Sequence, residues 1–241
     1  MAHKDEGPAG DFKRITWEYV TGQKKNGFPW GPHRLPLMIS FEGVSLVAEK
    51  CAGGFVYKRE ARGRSVEKEL LVAKGNLQLS PVEPFHLPVA LSYHLLIALE
   101  QPVTIEPRTI KNIFITFPLE LSTAINRRQK GEHILDAFTL CRSKFTLYGS
   151  IKSGLVCKYW QSAVYHSIPV VNPLAGGVMK LSIQNTSGRW ADVNKVVFSA
   201  QGMKIYYNQN LVSLKAAMKI IGSLADSSVD IIVRIWAPST E

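Results

Sequence analysis

The sequence has no apolar run long enough to cross a bilayer as a helix. Its most apolar stretches, around residues 95–99 and 231–235, fall far short of the ~20 residues required. The amino terminus reads Met1-Ala2-His3-Lys4-Asp5-Glu6-Gly7-Pro8, with no apolar core behind a basic start, so no secretory leader is expected and the reading is cytoplasmic. Cysteine is scarce. Cys51, Cys141 and Cys157 are odd in number and lack CxxC spacing, which argues against a disulfide scaffold or a zinc ribbon and for small packed side chains. The six histidines form no HxH, HxxxH or HExxH, the spacings that set two ligands on one face. No metal or other cofactor is expected.

Catalytic signatures are missing as well. The pairs Gly53-Gly54 and Gly176-Gly177 each run into a strand. A phosphate loop instead runs from a strand into a helix and needs Gly-Lys-Ser/Thr, so both pairs read as turns. There is no Gly-x-Ser-x-Gly. Acidic residues are sparse beyond Glu132 and Asp136, with Asp192 alone before Asp226, so a paired-carboxylate glycosidase site is not expected there. The tripeptide Asn185-Thr186-Ser187 matches a glycan acceptor and reads as coincidence, in a turn with Gly188.

What is present is the material of a β protein. Hydrophobic residues make up 46% of the 241 residues and aromatics 10%, enough for a core and too much for a disordered chain. Short runs rich in β-branched and aromatic residues recur every 8–12 residues with turn residues between them. Residues 35–41 and 44–49 flank Glu42-Gly43. Residues 55–60 and 66–73 flank Ala61-Arg62-Gly63-Arg64. Residues 144–148 and 155–160 flank a loop with glycine at both ends. The segment 93–121 resembles one edge of an immunoglobulin-like sandwich, strand, proline-marked corner, strand. The fold class expected is mainly β, as two sandwich halves or one large sandwich, with few short helices. Residues 131–138 offer one short helical turn. Residues 213–221 fit helix and strand equally, because Leu214, Ala217, Met218 and Ile221 recur at helical spacing.

Charge divides the chain. There are 29 Lys and Arg against 19 Asp and Glu, a formal net charge of +10. Residues 35–126 hold nine of each sign, residues 127–160 seven basic and two acidic, and residues 180–220 six basic and one acidic. With the polar stretch Arg127-Arg128-Gln129-Lys130-Gly131-Glu132 as boundary, the expectation is a flexible tail at 1–11, a neutral half at 12–126 and a basic half at 127–241. On strands of period two, Lys144 shares a face with Tyr148, Lys158 with Trp160, and Lys204 with Tyr206. Cations beside aromatics on an exposed sheet suit single-stranded nucleic acid, the cation meeting phosphate and the ring stacking on a base. Arg142, Lys144, Tyr148, Lys158, Trp160, Lys204 and Tyr206 are therefore the candidate anion-binding residues. Trp30, His33 and Glu83, in proline-rich loops, are candidates for lining a pocket.

Four stretches together resemble a known family: Ser80-Pro81-Val82-Glu83-Pro84 with Leu87-Pro88; Thr116-Phe117-Pro118-Leu119-Glu120; Lys144-Phe145-Thr146-Leu147-Tyr148-Gly149 with Ser153-Gly154-Leu155-Val156-Cys157-Lys158-Tyr159-Trp160; and Gly202-Met203-Lys204-Ile205-Tyr206-Tyr207. They are similar to the archaeal domain-of-unknown-function family numbered four-three-two, over roughly Trp17 to Ile221. The resemblance implies an archaeal source and an all-β fold, with no reaction attached. Some relatives carry such a domain beside a channel-like membrane region, which implies a regulatory or interaction role. The functional expectation is a non-enzymatic interaction module whose basic surface meets an anionic partner, RNA, a ribonucleoprotein or an acidic protein surface, with membrane contact only through a partner. The alternatives are a ligand-responsive regulatory domain acting with a membrane or signalling protein, and an enzyme with an unfamiliar site.

Overall fold

The computed structural model describes residues 16–18, 24–26, 29–72, 75–87, 91–127, 131–208, 210–221 and 234–235. The tail expected at 1–11, the middle of the polar stretch after Arg127 and most of the apolar stretch at residues 231–235 lie outside them. The described residues form strands and turns only. No helix among them is long and apolar enough to cross a membrane.

Two compact units emerge, residues 1–29 with 34–74, and residues 30–33 with 75–241. The division thus falls near residue 74 and not after Asn126. The residues on either side of the polar stretch belong to paired neighbouring strands, because Glu120–Arg127 and Gly131–Phe138 pair antiparallel from Leu121–Phe138 to Arg127–Gly131. A polar stretch between two paired strands looks the same in sequence as a linker between domains.

The first unit is one antiparallel sheet in the order β2-β1-β4-β5-β6-β7, with β1 Thr16–Glu18, β2 Lys24–Asn26, β4 Leu37–Phe41, β5 Val44–Cys51, β6 Gly54–Ala61 and β7 Arg64–Leu70. Its hairpins close where the sequence places turns. Glu42 and Gly43 both take positive φ (42° and 75°), as do Arg62 and Gly63 (49° and 71°), the mirror-image turn whose twist matches that of paired strands. Leu37, Ile39, Phe41, Val44, Leu46 and Tyr57 alternate onto one buried face.

The second unit holds three sheets. One is ordered β12-β11-β8-β3, with β3 Gly31–Arg34, β8 Asn76–Val82, β11 Glu120–Arg127 and β12 Gly131–Phe138. The second is β13-β14-β9-β16, with β9 His94–Ile105, β13 Lys144–Tyr148, β14 Leu155–Ser162 and β16 Ala191–Ser199. The third is β10-β15-β18-β17, with β10 Thr109–Pro118, β15 Gly176–Asn185, β17 Tyr206–Tyr207 and β18 Val212–Ile220. β19, Arg234–Ile235, also pairs with β18. The second and third sheets share one core. Leu95, Ile97, Val196 and Phe198 meet Ile113, Ile115, Phe117, Met179, Leu181, Leu214 and Met218 in a single buried cluster. β9 and β10, joined through the Pro107-Arg108 corner, fall in different sheets, as a sandwich edge requires.

Both helix candidates are strands. In β18 the alternation of Val212, Leu214, Ala216, Met218 and Ile220 inward outweighs the helical spacing that also fits this run, since β15 pairs with it from Val178–Ser213 to Asn185–Ile220. Residues 131–138 are likewise held as β12 by β11. Gly176 and Gly177 open β15 and are not turn residues. A Cβ on Gly177 would sit 2.4 Å from the Phe117 ring, so this glycine admits an aromatic to the core.

The glycan-acceptor motif is structural. Asn185 is fully buried. Its Nδ2 donates to the carbonyls of Ile105 (3.1 Å) and Arg189 (2.8 Å), and its Oδ1 accepts from the Ser187 amide and hydroxyl. Asn185→Ala leaves two carbonyls and an amide without their partner and is expected to cost about 2–3 kcal/mol, read as a lowered urea midpoint for the larger unit.

Candidate functional site

Two arrangements in the second unit stand out, one buried and one exposed. The buried one gathers three of the segments that carry the family resemblance. β11 begins with Glu120, whose neighbour across the ladder is Val82, at the end of β8. The Glu120 carboxylate is 1% exposed. It accepts the amide N–H of His86 (2.8 Å, Oε2) and of Leu87 (3.3 Å, Oε1), and the Lys158 ammonium donates to Oε1. Lys158 comes from β14 and its side chain is 5% exposed. One ion pair thus joins β11, β14 and the loop after β8. Within that loop His86 Nε2 lies 3.7 Å from Glu83 Oε2, and the His86 ring stacks on Phe85 with centroids 4.2 Å apart. Beside it, Trp160 Nε1 donates to Thr116 Oγ1, and Ser162 Oγ accepts from the Thr116 amide.

This geometry holds parts in place and offers little to covalent chemistry. The Lys158 ammonium is committed to a carboxylate and sealed from solvent. The neighbouring Cys157 is buried, and burial pushes its thiol pKa up, keeping it protonated. No group of three or more His, Cys, Asp or Glu gathers for a metal among the described residues.

The exposed arrangement is the outer face of the five-stranded sheet. None of β10, β15, β17 and β18 contains an Asp or Glu. Register sets its side chains in rows. Phe114 is opposite Lys180, and Lys180 opposite Lys215. Tyr165, bridged to Phe114 through two backbone hydrogen bonds, extends that row. Ser182 is opposite Ala217, Gln184 opposite Lys219, and Tyr206 opposite Ser213. Lys180, Lys215, Lys219, Tyr165 and Tyr206 are all exposed. Lys180 and Lys215 therefore sit side by side on strands about 4.8 Å apart, a like-charge pair that disfavours the free fold and offers two adjacent cations to an anion.

The residues singled out from sequence separate on this frame. Tyr206 belongs to the basic face and Lys204, exposed, precedes it by two residues. Arg142 and Lys144 are exposed at the start of β13, and Lys195 Nζ lies 5.4 Å from the Tyr148 ring centroid, all on the other sheet of the sandwich. Lys158 is not a surface cation: alternation puts it on the core side of β14, where Glu120 neutralises it. Trp160, on the same side, is half-buried against the core. Of the pocket candidates, Trp30 meets Tyr207 edge-on with centroids 6.1 Å apart, His33 is buried in β3, and Glu83 faces His86. Sequence reasoning missed Lys180, Lys215 and Lys219. The signal was there for β18, where Lys215, Ala217 and Lys219 alternate with apolar residues once the run is read as a strand.

No curated protein and no solved structure matches the chain. A family model described as a protein of unknown function, DUF432, matches residues 29–233, which take in β3 to β18 and every residue of the two arrangements, and the chain belongs to that family.

Proposed function

We propose that the protein is a cytoplasmic, non-enzymatic interaction module that binds single-stranded RNA, free or in a ribonucleoprotein, on the outer face of its five-stranded sheet. The observation that carries this reading is the cross-strand pair Lys180–Lys215 on four strands that contain no carboxylate. Adjacent ammoniums suit the closely spaced phosphates of a single-stranded backbone, and the exposed rings of Tyr165 and Tyr206 supply π-faces for bases at the margins of the same face.

Binding of a fluorescein-labelled oligouridylate to the full chain, followed by anisotropy at several salt concentrations, tests this. Three lysine–phosphate contacts predict that log K falls against log salt with a slope of about −2. A slope near zero, or binding to anionic vesicles with none to RNA, would sink the proposal.

A further inference from the structure

The inner face of the sheet β13-β14-β9-β16 continues beyond the core that it helps to build. On β9 and β14 that face carries Leu95, Ile97 and Trp160, packed within or against the core. One strand further out it carries Phe145, opposite Lys158, and Leu147, opposite Val156. Phe145, Leu147 and Val156 are 38%, 42% and 42% exposed. β13 ends the sheet, and no other strand pairs with its free side among the described residues. Protected edges carry a proline, a bulge or inward charges. β13 has none of these: its register with β14 is unbroken from Lys144–Tyr159 to Tyr148–Leu155, and its one lysine is its first residue. The opposite face bears Lys144 and Tyr148, with exposed Arg142 and Lys152 on either side of the strand, and the chain has no Asp or Glu between Asp136 and Asp192.

We propose that β13 is a docking edge for an extended segment of a partner protein in which apolar and acidic side chains alternate. A strand added beside β13 sends successive side chains to opposite faces. On the inner face they meet Phe145 and Leu147 and lengthen the core layer. On the outer face they meet Lys144 and its neighbouring cations. Alternation of Val or Ile with Glu or Asp satisfies both faces at once. A second copy of this chain does not, because it brings another Arg142, Lys144 and Lys152 to the same edge with no carboxylate between them.

The test uses the full chain and two labelled peptides, one alternating Val with Glu and one alternating Val with Lys. The Val–Glu peptide is expected to bind saturably, to slow amide exchange along β13 and to lose about tenfold or more in affinity with Leu147→Asp, while the urea midpoint of that variant stays near the parent's and shows that the fold is kept. Lys144→Glu is expected to weaken the Val–Glu peptide and admit the Val–Lys peptide. The idea is overturned if the Val–Glu peptide does not saturate, if Leu147→Asp leaves its affinity unchanged, or if sedimentation shows dimers that Leu147→Asp dissociates. The residues involved are separate from the RNA-binding face, so either proposal can fail alone.

Discussion

Lys158→Met is expected to destabilise the larger unit by about 3–5 kcal/mol, and Glu120→Ala by a similar amount. Each change leaves the other charge of the pair buried without its counter-ion. Glu120→Ala also releases the amides of His86 and Leu87, which the carboxylate now holds. The double variant Glu120→Leu/Lys158→Met removes both charges and is expected to recover most of the lost stability, since an apolar pair of similar volume often matches a buried ion pair. It does not restore an acceptor for the loop. Urea unfolding should therefore show near-normal stability while amide exchange at His86 and Leu87 accelerates. That combination separates the two roles of Glu120, charge partner and clamp of the loop after β8. If the double variant is as unstable as either single one, packing and not the buried charge sets the cost.

The second large effect concerns the basic face. Replacing Lys180, Lys215 and Lys219 together with Gln is expected to weaken RNA binding about a hundredfold at about 0.1 M salt and to flatten the salt dependence by about two units of slope, because each lysine that neutralises a phosphate contributes about 0.7 to that slope on a single strand. Tyr206→Ala is expected to weaken binding by about 1–3 kcal/mol with the slope unchanged, the mark of lost stacking. Stability should move the other way. Lys215→Gln relieves repulsion from Lys180 and is expected to leave the unfolding midpoint equal or slightly raised. Loss of affinity without loss of stability distinguishes a binding surface from a structural one. A triple variant that binds like the parent would contradict the proposed function.

Much of the fold is legible in the sequence because strand formation here is local. Two-residue hairpins such as Glu42-Gly43 and Arg62-Gly63 declare themselves through the positive φ that their residues must tolerate. Alternation declares the strands that flank them. Where two periodicities fit, as in residues 213–221, the sequence stays undecided, and pairing with β15 settles the matter. Polar composition misleads at residues 127–132, since it does not tell a linker between domains from the connection of two paired strands.

For the candidate surface, the sequence by itself determined that the chain is a β protein of the family its motifs resemble, and that its positive charge lies beyond Asn126. Which cations face solvent was decided only by tertiary structure. Period two places Lys158 on a face with Trp160, but it does not say that this face is the core side or that Glu120, 38 residues away, waits there. Nor does it say that Lys180 and Lys215 stand abreast, because parallel register between β15 and β18 arises from packing over a shared core and not from any local signal. The sequence supplies the charges. Long-range strand order decides which are paired and buried, and which are left to meet a partner.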